Sequence, residues 1–251
     1  MDVLNFNFKT IFMNRILLIL LSFLILTEIQ FVNAQQFVTP GAEWSKTRHL
    51  DNGDTNFKVL FARTGWETQE SGTMSRKLSV ANDTIQLIRE ISRGNASTQD
   101  TLLMHYPDLT PITFSAKQKD RITKYQVDNN NLHIHIDFTA ADILEYSQDV
   151  GDGFFDLAAL DLVLGGLKRR ELQDKTLRLF DAQTSSFINF TVSEVSRERI
   201  EDGNGKRQRC FLIKGQLNNS EASYWVHRRS GELIKSKVEL SGQMAMILLR
   251  Q

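Results

Sequence analysis

The chain is predicted to be mainly β, a strongly curved antiparallel meander (a half-barrel or open barrel) of about ten strands with one helix near residues 156–167. Three observations predict it. Short runs of alternating apolar and polar residues recur along the chain, separated by turns rich in Asn, Asp and Gly. A single stretch, beginning at Asp156, changes to helical spacing. The last run, Met244 to Leu249, is apolar on both faces, so both of its sides need cover.

Residues 1–34 read as a signal peptide. Lys9 and Arg15 give a positive n-region, Ile16 to Leu26 an apolar core, and Val32-Asn33-Ala34 small residues at the positions a signal peptidase reads. The apolar core falls short of the roughly 20 residues that span a bilayer. Cleavage near Ala34 is expected to release a soluble, exported protein, periplasmic or secreted; Met13 is an alternative start to Met1. Gln35 and Gln36 follow the cleavage site where a lipoprotein would carry cysteine, so no stable membrane anchor is expected. Residues 35–56 form an arm with one short edge strand around Trp44–Leu50, and 57–251 a single domain.

The elements follow in order. Phe57, Val59 and Phe61 alternate with Lys58, Leu60 and Ala62, and after a turn-rich stretch Met74–Val80 follows. Asn82-Asp83 turns into Ile85–Ile91, Arg93-Gly94-Asn95 into Thr101–Tyr106, and Pro107 and Pro111 bracket a bend before Ile112–Lys117. Ile122–Val127 and Leu132–Phe138 form a hairpin around Asp128-Asn129-Asn130-Asn131, residues that tolerate positive φ. Asp156 can cap a helix of about three turns with Leu157, Leu160, Leu164 and Leu167 on one face, stopped by Gly165-Gly166. Thr176–Phe180, Phe187–Ile200, Arg207–Leu217, Ala222–Arg228, Glu232–Leu240 and Gln243–Arg250 complete the meander. The helix is expected to cover the second face of the last strand.

Composition narrows the function classes. Lys+Arg and Asp+Glu are both 30, so no global field favours nucleic acid or an anionic membrane. Cys210 is the single cysteine, which excludes an intramolecular disulfide and leaves the core to hold the fold. It shares a strand face with Leu212 and reads as a buried, inert thiol. Four N-x-S/T sequons, at Asn82, Asn95, Asn189 and Asn218, have meaning only in a eukaryotic secretory route.

The sharpest chemical pattern is His133-x-His135-x-Asp137, three potential zinc ligands on one strand face. It partly resembles the H-x-H-x-D-H signature of metallo-β-lactamase-type hydrolases, but Phe138 stands where the last His belongs. The wet side of an amphipathic strand explains it more simply. Asp149, Asp152 and Asp156 miss calcium-loop spacing. No catalytic residue and no cofactor is assigned.

Phe154-Phe155-Asp156-Leu157, Leu160 to Leu164, Leu177 to Asp181 and the closing Tyr224-Trp225-Val226, Leu233 to Lys235 and Met244 to Ile247 resemble a bacterial cell-envelope family of exported β-rich proteins with no assigned activity. The resemblance runs from about Asp83 to the C-terminus. That family is similar to the half-barrels of periplasmic lipoprotein carriers, which bind acyl chains on the concave face of a curved sheet beneath a helix-bearing lid. The resemblance implies that architecture and no catalytic residues. The reading favoured is an exported non-enzymatic envelope protein that binds a lipid or other apolar ligand. Leu157, Leu160, Leu164, Trp225, Met244 and Met246 are expected at the ligand and Trp66 on the rim. The alternatives are a packed module that recruits another envelope protein, and a hydrolase using His133, His135 and Asp137.

Overall fold

A computed structural model describes residues 37–41, 50, 52–139, 142–169 and 172–251. The expected leader, the Met13 start and the strand around Trp44–Leu50, Leu50 apart, lie outside the described residues.

Among the described residues sixteen strands, where about ten were expected, form one sheet. The N-terminal group is β1 (Phe37–Val38), β2 (Gly53–Arg63), β3 (Gln69–Ala81), β4 (Thr84–Arg93), β5 (Ala96–His105), β6 (Pro111–Lys117), β7 (Arg121–Asp128), β8 (Asn131–Phe138) and β9 (Leu144–Asp149). A short β10 (Phe155–Asp156) leads into a 3-10 turn (Leu157–Ala159) and helix α1 (Leu160–Gly166). The C-terminal group is β11 (Thr176–Asp181), β12 (Ser186–Glu201), β13 (Arg207–Leu217), β14 (Ser220–His227), β15 (Leu233–Ser241) and β16 (Met244–Arg250). Every run read from Phe57 onward carries a strand; β1, β9 and β10 are additional.

β2 to β9 make one antiparallel meander and β11 to β16 a second. They fuse because β16 pairs with β2 along its whole length, from Met244 opposite Arg63 to Arg250 opposite Phe57. Among the described residues the sheet is not closed into a barrel: β9 ends one side, and β11 ends the other, edged by β1 and β10 in parallel. Side chains reach between the two ends. Arg121 Nη2 donates to Gln183 O at 2.8 Å, the Tyr146 hydroxyl to Ser185 O at 3.2 Å, and Arg178 Nη1 to Val150 O at 2.5 Å. Phe154 fills the space beside them, its ring edge-on to Tyr125, Phe180 and Phe187.

Alternation sorts the residues between two faces. The inner face, which bears the helix, carries Phe57 and Val59, Ile85 and Leu87, Leu102 and Met104, and Leu132, Ile134 and Ile136, all buried in one contiguous core. The hairpin turn follows its chemistry, with Asn129 and Asn130 at φ 46° and 65°.

Helix and last strand depart from expectation in two respects. Asp156 caps the helical segment as expected, its Oδ1 accepting from Ala158 N at 2.6 Å. Gly165 and Gly166, however, lie inside the helix, which ends at Leu167 in extended backbone. Their smallness matters for approach: a Cβ on Gly165 would sit 2.1 Å from Gly231 O, in the turn between β14 and β15. The helix packs against those two strands rather than on β16. On β16, Met246 and Leu248 point inward, while Ala245 and Ile247 are buried on the outer face. Ile247 stands in the ladder between Lys237 and Leu60, and such long neighbours supply the cover the helix was expected to give.

Gly165→Ala is expected to lower the stability of the folded chain by about 1–3 kcal/mol, because the added methyl meets backbone that cannot yield. A denaturant midpoint equal to that of the wild type would show that the helix does not lie this close to Gly231.

Candidate functional site

Between the helical segment and the inner face lies a cavity of about 410 Å³, within the size range of small-molecule sites. Val59, Phe61, Met74 and Ile91 wall one side, Val238, Met246 and Leu248 the other, and Leu157 and Leu160 roof it. Its floor is charged. Arg76, Arg89 and Asp100 stand in one cross-strand row on β3, β4 and β5. Each occupies an inward position in phase with apolar neighbours, such as Met74 and Leu78 around Arg76.

Directly opposed like charges repel, and here each arginine has its own counter-charge. Arg76 pairs with Asp161 of the helix. Arg89 grips Asp100 with two hydrogen bonds, Nε to Oδ1 at 2.9 Å and Nη2 to Oδ2 at 2.7 Å, and donates to Ala158 O at 3.3 Å. Burial works against the Arg89 charge, but Asp100, together with the Asp156 and Asp161 charges, more than offsets it and the group's pKa is raised. The network continues to Asp156, whose Oδ2 accepts from the Tyr125 hydroxyl at 2.5 Å. Burial pushes the Asp156 carboxyl up to about 6, against the pull of Tyr125, the Ala158 N–H and Arg89; the nearby Asp100 adds to the rise. Burial and the Asp156 charge likewise hold the Tyr125 hydroxyl well above its ordinary range.

At one end the inner face runs out into an exposed rim. Leu240 and Met244 are exposed there, and Trp66 is 66% exposed with the Arg63 guanidinium 5.5 Å from its ring centre. Arg93 lies 5.4 Å over the Phe61 ring and donates to Met246 Sδ at 3.1 Å. The turns bearing these residues are joined by the hydrogen bond from Thr64 N to Gln243 O.

Of the residues expected at a ligand, Leu157, Leu160 and Met246 line the cavity, and Met244 and Trp66 stand at this end of the sheet. Leu164 is fully buried packing. Trp225 lies on the outer face, because its neighbours Tyr224 and Val226 take the inward positions; its Nε1 donates to Glu198 Oε2 at 2.5 Å. Sequence reasoning missed Arg76, Arg89, Asp100, Tyr125 and Asp161. For Arg76, Arg89 and Asp100 the available signal was a charged residue at an apolar phase of a strand.

The histidine pattern does not assemble into a metal centre. His133 Nδ1 is 2.7 Å from Ser147 Oγ and His135 Nδ1 2.7 Å from Glu145 Oε1 on the neighbouring strand. Among the described residues no group of three His, Cys, Asp or Glu could hold a metal. These histidines border an outer-face groove of about 650 Å³, larger than the cavity, where Leu103, Thr113, Lys124 and Gln126 stand beside the His133–Ser147 and His135–Glu145 pairs. Cys210 is fully buried, and burial pushes its thiol up to about 11. No helix among the described residues is long and apolar enough to cross a membrane.

Compared with protein-family models, curated proteins and solved structures, the chain matches none. The resemblance read from Phe154–Leu164, Leu177–Asp181, Tyr224–Val226, Leu233–Lys235 and Met244–Ile247 therefore rests on those residues alone.

Asp156 sets a pH dependence. Folded, it holds a proton up to about pH 6; unfolded, it releases it near 3.8. Its contribution to stability thus falls as pH rises through that window, by about 3 kcal/mol, and stays low above it. Asp156→Asn removes the titrating carboxyl: its Oδ1 still accepts from Ala158 N, while its amide nitrogen, a donor, faces the Tyr125 oxygen. The wild-type-minus-variant stability difference, measured by denaturant titration from pH 4 to 7, should decline across the window; a flat difference would rule the effect out.

Proposed function

We propose that the protein is an exported, non-enzymatic binding protein of the cell envelope that holds a lipid or other apolar ligand in the cavity beneath its helix. In this reading the sheet acts as a half-barrel, with the inner face concave. The supporting observation is the cavity itself, walled by aliphatic, methionine and phenylalanine side chains and leading toward a rim where Leu240, Met244 and Trp66 are exposed beside Arg63. An interior devoted only to stability is packed to crystal-like density. Space bounded by flexible methionine on one side and a short helix on the other suits a pliable, apolar guest. The signal-peptide pattern of residues 1–34 and the resemblance to exported half-barrel proteins support the envelope setting.

A second reading is a module that docks another envelope protein by edge pairing. It draws on β9, which has no ladder partner on its outer side among the described residues, and on the exposure of its first residue Leu144 and of Ile143 before it.

Native mass spectrometry of the protein isolated from its own envelope, followed by solvent extraction, should release an apolar molecule. Met246→Trp, which fills the cavity from the sheet side, should weaken binding of a fluorescent fatty acid at least about tenfold while leaving the circular dichroism spectrum unchanged. A wild-type protein that is empty as isolated and binds no amphiphile would defeat the first reading.

A further inference from the structure

A second arginine row lies on the inner-face register of β12 and β13, and it lacks the acids that balance the first. Arg199 stands directly opposite Arg209, and Arg228 follows just past the end of β14, its N–H bonded to Arg209 O at 3.0 Å. Arg197, two residues before Arg199 and on the same face, stands opposite Phe211, whose ring lies under Arg228 at 5.3 Å. Arg197, Arg199, Arg209 and Arg228 line one depression of about 180 Å³. Glu198 also borders it, but its carboxylate accepts from Trp225 Nε1 on the outer face. One row further on, Glu201 faces Arg207 at 3.6 Å, a pair balanced in itself. Among the described residues no carboxylate lies within ion-pair distance of these four arginines.

The chain offers its own control. Arg76 and Arg89 repeat the same opposed geometry in the core, and there Asp161 and Asp100 neutralise them. In the second row the repulsion stands uncompensated among the described residues, although any polar residue could fill the exposed strand positions of Arg197, Arg199 and Arg209. We infer that Arg197, Arg199, Arg209 and Arg228 form a binding site for a phosphate-bearing anion. Guanidinium is the group suited to it, with planar paired donors that match two oxygens of one phosphate and a charge fixed at all working pH values. The anion is either a free phosphate or the headgroup of an anionic lipid. The site does not depend on the cavity having a ligand.

The test compares the full chain with Arg199→Gln/Arg209→Gln, a double variant on exposed positions. Thermal unfolding is followed in sodium phosphate, sodium pyrophosphate and sodium chloride matched in ionic strength. The wild type should gain at least about 2 °C in phosphate or pyrophosphate over chloride. The variant should melt higher than the wild type in chloride, because the repulsion is gone, and gain nothing from phosphate. Flotation with phosphatidylcholine vesicles, with and without about 20% phosphatidic acid, separates the two sources. Acid-dependent capture of the wild type alone assigns a headgroup; a phosphate-dependent melting gain without capture assigns a soluble anion. If wild type and variant respond alike to phosphate, pyrophosphate and vesicles, the site is overturned.

Discussion

Everything in this fold depends on the last strand meeting the second. β16 carries Met244-Ala245-Met246-Ile247-Leu248-Leu249, apolar on both faces and low in charge until Arg250. As an edge strand it would be a template for aggregation. Between β15 and β2 its backbone is paired on both sides, and its two faces divide the work. Met246 and Leu248 help wall the cavity, while Ala245 and Ile247 close the outer face against Leu60 and the stem of Lys237. Only this pairing makes the two meanders one surface. It joins residues from opposite ends of the described chain, the kind of contact that forms late because the entropy of closing so long a loop comes first.

The charged row beneath the helix is a positional device more than a source of stability. Removing arginine and aspartate from water costs several kcal/mol per ion, about what their attraction returns. What the row does is make one helix position far better than its neighbours. Asp161 must reach Arg76, Ala158 O must reach Arg89, and the Asp156 carboxyl must meet both Tyr125 and the Ala158 N–H. A shift of one turn would leave buried charges without partners. The glycine contact at the other end of the helix allows close approach there. The segment is thus pinned by charge at its start and seated by shape at its end, with the cavity under the pinned half.

Local patterning made most of the sheet readable, since alternation survives wherever one face is buried. The turns were equally legible, with Asn82, Asn129, Asn130 and Asn218 all at positive φ. Strands escaped where that logic lapses. β9 is exposed along nearly its whole length and so shows no alternation, and β1 and β10 are two residues each, defined only by their pairing with β11. Gly165-Gly166 misled because glycine after a leucine-rich run has two uses, ending a helix or letting another backbone come close, and local sequence does not separate them. The covering of β16 was misassigned for a related reason. The need for cover is written in its own residues, whereas Leu60 and Lys237 become its neighbours only through long-range pairing. The charged floor was visible as arginines at apolar phase, but its counter-charges sit on β5 and the helix.

Comparing the two arginine rows constrains what the cavity can hold. Arg76 and Arg89 are already engaged by Asp161 and Asp100 inside the fold. An anionic headgroup driven to the floor would displace a buried carboxylate and leave it unpaired, which costs more than the new pair returns. In the proposed function the interior therefore suits the apolar part of a guest. A polar head belongs at the rim, where Arg63 and Arg93 lie over aromatic rings with their edges open to water. That division selects for an amphiphile lying tail-inward, and against a compact polar molecule of the same volume.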